Sequence, residues 1–245
     1  MVLNCAMKTS FRIPSGEALA DATQQYREEA RTRVYQVWRP DVAQGIATAM
    51  ASAVFYANTF HVDGRTQLAT PDELQKMGPQ ARQQLGEKIN AGAADGVGFL
   101  YERYYLPEQP EASVPEPLYG VAETLNSEPV LAMVREVSGI DDISCASMQV
   151  TRYRAGHFLT RHNDVVPAEQ RRVAYVLGFT PRWHPDWGGL LQFYRQDGVP
   201  QDAWAPGFND LMLFDVHRVH AVTYVAPFAG APRQAISGWF SAGSL

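Results

Sequence analysis

In the last third of the chain, His162-Asn163-Asp164 is followed by His220 and then by Arg233, six residues before Trp239. Two imidazoles and one carboxylate are a donor set that holds non-haem Fe(II) on one face and leaves its other coordination positions open. Along a strand, residues i and i+2 point the same way, so His162 and Asp164 can project into one cavity. A downstream arginine suits a ligand that carries a carboxylate, because its planar fork grips that group with two parallel hydrogen bonds. The tripeptide alone is a weak signal in a chain with six histidines, since a surface histidine beside a loop acid gives the same letters. Its surroundings have to decide.

The second imidazole follows from strand geometry. His217 and His220 are an odd number of positions apart, which puts them on opposite faces of a continuous strand, so at most one reaches the ion unless a bulge lies between them. His220 leads into the apolar alternation of Ala221, Val222, Tyr224 and Val225, whereas His217 sits with Asp215 and Arg218 in a turn. The metal set is therefore His162, Asp164 and His220, with His217 at the surface or behind the ligands.

Such a set needs short strands to carry it. Arg171-Arg172 opens Val173 to Phe179, a run of β-branched and aromatic residues suited to a buried strand. A loop rich in turn formers and tryptophan runs from Pro181 to Trp187, followed by a strand from Gly188 to Tyr194 and a turn at Asp197-Gly198. Leu211 to Phe214, His220 to Val225 and Arg233 to Phe240 read as the remaining strands. Short strands separated by frequent turns describe a sandwich or jelly roll.

Tyr153 with Gly156, His162-Asn163-Asp164, Arg171-Arg172, Gly188-Gly189 with Phe193, His220-Ala221-Val222, and Arg233 with Trp239 form one pattern across residues 150–241. In that pattern the chain resembles prolyl-hydroxylase-type Fe(II)/2-oxoglutarate oxygenases, most closely the branch that includes ribosomal-protein prolyl hydroxylases. The resemblance implies a double-stranded β-helix, Fe(II) on His162, Asp164 and His220, the distal carboxylate of 2-oxoglutarate on Arg233, and Tyr153 on the same co-substrate through its hydroxyl. It further implies O2 as co-substrate, ascorbate as a candidate addition, and hydroxylation of an unactivated C–H bond with release of succinate and CO2. The substrate would be a prolyl residue in a protein or a small molecule. Asp164 favours hydroxylation, since iron halogenases leave that position free for halide. The family often places a second co-substrate tyrosine where this chain has Gly178, and Tyr175 falls on the opposite face of a regular strand. Ser237 shares a face with Arg233 and could touch the co-substrate or a water, or simply pack; Trp239 shares it too, with a core role favoured. Trp183, His184 and Trp187 could line the substrate mouth or anchor their own loop. His61 and His157 have no recognisable partners.

The fold class expected for these 245 residues is α+β, mainly β: a double-stranded β-helix, or jelly roll, at 150–245 with N-terminal supporting helices and extended segments at 1–149, in one integrated domain. Ser15 is a candidate N-cap for a helix reaching about Trp38, with Ala18, Ala22, Tyr26, Ala30 and Val34 as its stripe, and Pro40 starts a second helix. Val54 to Phe60, then Val62-Asp63-Gly64-Arg65, reads as a strand entering a hairpin. Thr70-Pro71-Asp72-Glu73 is a capping box for a helix over 71–91, and Pro107 to Pro117 is an irregular connector or lid. Gly96-Val97-Gly98 lacks the third glycine of a nucleotide loop, and no Gly-x-Ser-x-Gly elbow occurs. No apolar run reaches the roughly 18 residues of a membrane span, and Met1 to Phe11 lacks a signal peptide's apolar stretch, so the cytoplasm is the expected setting. Cys5 and Cys145 are too few for a disulfide framework, and a net charge of −5 with scattered Lys and Arg argues against a nucleic-acid partner. Oligomeric state stays open. The rival readings are a non-catalytic jelly-roll binding module, a hydroxylase of a free amino acid or natural-product intermediate, and a cupin-like metal enzyme. Against the last, there is no H-x-H pair and Arg233 would have no task.

Overall fold

The computed structural model describes residues 10–52, 56–106, 111 and 114–243. The readings made on residues 1–9 with Cys5, on Val54 and Phe55, and on 107–110 and 112–113 of the proline-rich segment lie outside the described residues. Six helices are seen among those described: α1 (Glu17–Glu29), α2 (Pro40–Ser52), α3 (Pro71–Lys76), α4 (Gly78–Ala94), α5 (Glu116–Leu125) and α6 (Glu128–Ser138). Four early strands lie among them, β1 (Arg31–Tyr35), β2 (Ala57–Val62), β3 (Arg65–Ala69) and β4 (Phe99–Tyr105). Nine follow: β5 (Cys145–Ala146), β6 (Gln149–Tyr153), β7 (Phe158–His162), β8 (Arg171–Phe179), β9 (Leu191–Tyr194), β10 (Pro200–Trp204), β11 (Phe208–Asp215), β12 (His220–Val222) and β13 (Arg233–Ser241).

Two helix expectations need correction. The helix expected from Ser15 to Trp38 is capped by Gly16 and stops at Glu29, where Ala30 turns left-handed at φ 53° and returns its N–H to the Tyr26 carbonyl. Arg31 to Tyr35, with β-branched Thr32 and Val34, instead pairs antiparallel with β11, so an open sheet edge outweighs the alanine stripe. The helix over 71–91 is two helices. Its start carries the full capping box, Glu73 N–H to the Thr70 hydroxyl at 3.2 Å and Thr70 N–H to the Glu73 carboxylate at 2.7 Å. Gly78 at φ 75° then breaks the run ahead of Pro79, whose ring and missing N–H suit only the first turn of a new helix. The strand read from His220 to Val225 is regular only over His220–Val222, although the Thr223 and Val225 N–H groups go on to bond the Leu190 and His157 carbonyls.

The strands form one curled antiparallel sheet in the order β1-β11-β8-β13-β6-β4-β7-β12-β9-β10, a double-stranded β-helix, with the β2–β3 hairpin attached through β4. Alternation along the strands sorts their side chains into two layers. Val173, Tyr175, Leu177 and Phe179 of β8, Leu211 and Leu213 of β11, and Ile236 and Phe240 of β13 pack against α1, α2, α5 and α6 in the main core. Full burial of such a side chain stabilises by about 1.5–3 kcal/mol, so this layer holds the sheet on its helical support. The alternate residues, Ala174, Val176, Met212, Phe214 and Ala235, turn to the concave side with Leu191 and Phe193 from the facing strands. Among the described residues no helix is long and apolar enough to cross a membrane.

Candidate active site

The concave side encloses a cavity of about 290 Å³, and the chemistry-bearing residues converge on it. His162 ends β7 and His220 begins β12, and the two are direct cross-strand partners. Their rings lie 4.2 Å apart between centroids. Asp164 follows the end of β7, pinned by its N–H to the Val216 carbonyl at 2.9 Å, and turns its carboxylate between the imidazoles. Its oxygens lie 3.7 Å from His162 Nε2 and 3.5 Å from His220 Nε2.

Each imidazole is oriented from behind. His162 Nδ1 lies 2.9 Å from the Thr160 carbonyl and His220 Nδ1 lies 2.9 Å from the Arg218 carbonyl. A carbonyl can only accept, so in each ring Nδ1 carries the proton and Nε2 keeps its lone pair for a metal, the usual support of a ligating histidine. Burial pushes the His220 pKa down to about 4, with neighbouring His162 lowering it further and Asp164 opposing. That imidazole is neutral at physiological pH, as ligation requires. Among the described residues these three are the only such group of potential ligands, with their donor atoms all within 4.8 Å of one another. Two neutral nitrogens and a carboxylate oxygen fit a ferrous ion. His217, by contrast, is exposed, with Nδ1 2.8 Å from the Asp215 carboxylate.

Across the cavity, Arg233 opens β13. It is 5% exposed, and its guanidinium lies over the Tyr153 ring at 5.0 Å. Among the described residues no carboxylate forms an ion pair with it; burial lowers its pKa, while Tyr153 and Asp210 favour the charge. A buried cation without an ion-pair partner, facing a cavity, is a receptor for an anion. Tyr153 is itself buried, and desolvation raises its pKa, so the phenol stays a protonated donor. Ser237 also lines the cavity, two alternations along β13, with its hydroxyl 3.4 Å from Gln149 Nε2.

Gly178 faces the same interior but sits beyond the open space. A Cβ there would lie 2.6 Å from the Gly207 carbonyl and would overlap the Asp210 carboxylate. Asp210 is 1% exposed and paired with Arg33 of β1. A charged pair therefore fills the space that a side chain at 178 would need. Tyr175 points to the helix layer, donating its hydroxyl to the Ser147 carbonyl at 2.8 Å, as strand alternation predicts.

Several cavity residues escaped the sequence reading. Phe99, Tyr101, Arg103 and Tyr105 all line it from β4, and their strict i, i+2 spacing was the available signal. Gln149 and Thr151 precede Tyr153 on the same face of β6. Trp239 packs against the concave core cluster, as expected, and also lines the cavity, where it carries the Arg171 guanidinium on its ring at 3.4 Å. The Trp183–Trp187 loop anchors itself: the rings meet edge-on at 5.2 Å, Trp183 Nε1 donates to the Gly188 carbonyl, and the His184 ring accepts from Asp186 N–H. His157 is buried and accepts the Arg154 N–H on Nδ1, and His61 leans on Phe99, so both have structural partners.

Comparison with known proteins agrees with this chemistry. Residues 148–241 match the family model described as the 2OG-Fe(II) oxygenase superfamily, and the His162-Asp164-His220 triad lies within that stretch. It is 34% identical over 137 residues to prolyl 3-hydroxylase OGFOD1 of Mus musculus, covering 53% of this chain and 25% of the mouse protein. The Xenopus laevis protein of the same name is 35% identical over 111 residues, covering 42% of this chain and 20% of the frog protein. The chain thus spans a quarter or less of the length of these relatives. Among solved structures, a Pseudomonas putida prolyl-4-hydroxylase superposes with a TM-score of 0.60 at 16% identity, over 92% of this chain and 100% of that one. A Trichoplax adhaerens prolyl hydroxylase, solved with a hypoxia inducible factor peptide fragment, superposes at 0.57 with 15% identity over 92% and 91%. These structural likenesses establish the double-stranded β-helix.

Proposed function

We propose that this chain is an Fe(II)- and 2-oxoglutarate-dependent dioxygenase that hydroxylates a prolyl residue in a protein. The observation that carries the reading is the pairing, across one cavity, of a His-Asp-His triad with a buried arginine that has no carboxylate of its own. His162, Asp164 and His220 hold the iron, Arg233 takes the distal carboxylate of 2-oxoglutarate, and Tyr153 gives that co-substrate a further hydroxyl. Ser237, farther along β13, contacts the co-substrate region through solvent or stays a wall residue.

Bound together, Fe(II), 2-oxoglutarate and O2 supply the oxidation, which couples decarboxylation to succinate and CO2 with hydroxylation of a C–H bond. The residues of the chain do the rest. The carbonyls of Thr160 and Arg218 keep both imidazole lone pairs aimed at the ion. Arg233 compensates one carboxylate charge in a place where water does not. Leu191, Phe214 and Val222 keep the walls apolar, which limits side reactions with water. The Trp239 face, backed by Arg171, offers a flat apolar surface at the rim for a pyrrolidine ring with a guanidinium beside it for a peptide carbonyl.

The names of the relatives support a prolyl substrate within a polypeptide, and in this reading the cytoplasm is the setting, in keeping with the free, buried Cys145. The test is iron-loaded protein with 2-oxoglutarate and a cell lysate. Succinate should form, slowly even without added lysate, and mass spectrometry should find a proline gaining one oxygen. A protein that neither binds 2-oxoglutarate by calorimetry nor forms succinate is a non-catalytic jelly roll.

A further inference from the structure

Tyr101 is the residue of the cavity whose placement the reading above leaves unused. It lies on the concave face of β4, 8% exposed, and lines the same cavity as Arg233 and the triad. Its ring is stacked on Tyr153 at 5.1 Å with the planes 11° apart, and Tyr153 in turn lies beneath Arg233. β13, β6 and β4 are neighbours in the sheet, so Arg233, Tyr153 and Tyr101 form one row of layered side chains across three strands.

Among the described residues neither tyrosine hydroxyl of that row hydrogen-bonds to a protein acceptor, and Gln149 Oε1 on the same wall is likewise buried and unpaired. Arg103 follows two residues later on the same face of β4 and lines the same cavity, and a guanidinium only donates, so it cannot accept the phenolic proton of Tyr101. Arg103 itself spends one N–H on the Tyr105 hydroxyl at 3.0 Å and leaves Nε without a partner. Asp164 is the one protein carboxylate on the cavity wall, and its oxygens are turned to the imidazoles. Burial raises the Tyr101 pKa, which keeps that proton in place. A wall that carries Arg233, Tyr153 and Tyr101 side by side is complementary to a ligand rich in carboxylate oxygens.

We propose that Tyr101 is a co-substrate-binding residue, its hydroxyl donating a hydrogen bond to a carboxylate of 2-oxoglutarate beside Tyr153 and Arg233. This rests on the oxygenase reading but assigns a residue that neither the sequence pattern nor the family match includes. It also accounts for how the chain supplies a second tyrosine hydroxyl when the space at Gly178 is filled by Asp210.

The experiment is calorimetric titration of the metal-loaded protein with 2-oxoglutarate, with Zn(II) in place of Fe(II) so that no turnover occurs. Tyr101→Phe keeps the ring stack and removes only the hydroxyl. It should weaken 2-oxoglutarate about tenfold, the loss of one hydrogen bond to a charged group, and leave metal affinity unchanged. Tyr104→Phe, on the other face of the same strand, should bind as wild type does. Wild-type protein labelled with carbon-13 at the tyrosine hydroxyl carbon gives a second reading that needs no variant for the effect itself: two tyrosine signals should move on adding 2-oxoglutarate. A Tyr101→Phe Kd within twofold of wild type, or movement of a single tyrosine signal, overturns the role of Tyr101 while leaving the oxygenase reading intact. Failure of wild-type protein to bind 2-oxoglutarate overturns both.

Discussion

Replacing Arg233 with methionine should make the empty protein more stable and the liganded protein less so. The guanidinium is 5% exposed and has no carboxylate partner among the described residues, so folding removes it from water with incomplete compensation. Substituting an apolar side chain of similar volume should stabilise the ligand-free fold by about 1 kcal/mol, at the lower end of what replacing buried charge yields because this one faces a cavity. Binding moves the other way. Losing a charge-assisted contact to a carboxylate costs roughly 1.5–3 kcal/mol, or about ten- to a hundredfold in affinity. At 2-oxoglutarate equal to about a hundred times the wild-type Kd, the wild type gains about 2.7 kcal/mol, whereas the variant gains about 1.4 for a tenfold loss and about 0.4 for a hundredfold loss. For a chain of this size 1 kcal/mol moves Tm by about 2–4 °C, so thermal scans of the metal-loaded protein, with and without 2-oxoglutarate, resolve both effects. The wild type should shift by about 5–10 °C and Arg233→Met by about half of that or less, from a higher starting Tm. An equal ligand-induced shift in the two proteins would remove Arg233 from the site. A large drop in the starting Tm would show that its charge is already paired within the fold.

His220→Ala should abolish turnover and weaken iron binding, while His217→Ala, exposed and bonded only to Asp215, should retain most activity; the reverse ranking in two folded variants refutes the ligand choice. Gly178→Ala should destabilise the fold by about 2–3 kcal/mol in chemical denaturation, because the new Cβ meets the Asp210 carboxylate and the Gly207 carbonyl, and an unchanged midpoint would mean that this end of the barrel is loose. Acid should weaken the metal-free protein. His157 is buried with Nδ1 accepting the Arg154 N–H, and its folded pKa is lowered by burial, so below an unfolded value of about 6.5 protons bind the unfolded chain preferentially and stability falls with pH. His157→Gln should flatten the stability slope measured by denaturant titration between pH 7 and 5, and an unaltered slope would assign all of it to other groups.

β8, β9, β11 and β13 were legible as short runs of β-branched, aromatic and other apolar residues bounded by turn residues, and β8, β11 and β13 were found within a few residues of their ends, whereas the exposed strand β10 was not read. The first half was harder for a physical reason. Arg31 to Tyr35 continues an alanine-spaced helical stripe, and only the edge of β11, far away in sequence, makes it a strand. The Thr70 capping box fixed where α3 begins, but local signals place a helix start more firmly than its continuation, and Gly78 with Pro79 divided the run.

The site divides along the same line. His162 and Asp164 are two residues apart, so sequence spacing could place them together; His220 required only the alternation of its own strand. Tyr101 reaches the site, and Asp210 the space beside Gly178, through the sheet order, which sets β4 beside β6 and β11 beside β8, and no spacing within either strand reports those neighbours. The charges nonetheless had to balance somewhere. Asp210, buried, pairs with Arg33 and lies near enough to Arg233 to favour its charge, yet Arg233 has no ion-pair partner among the described residues, so its guanidinium is left to an anion from outside the fold.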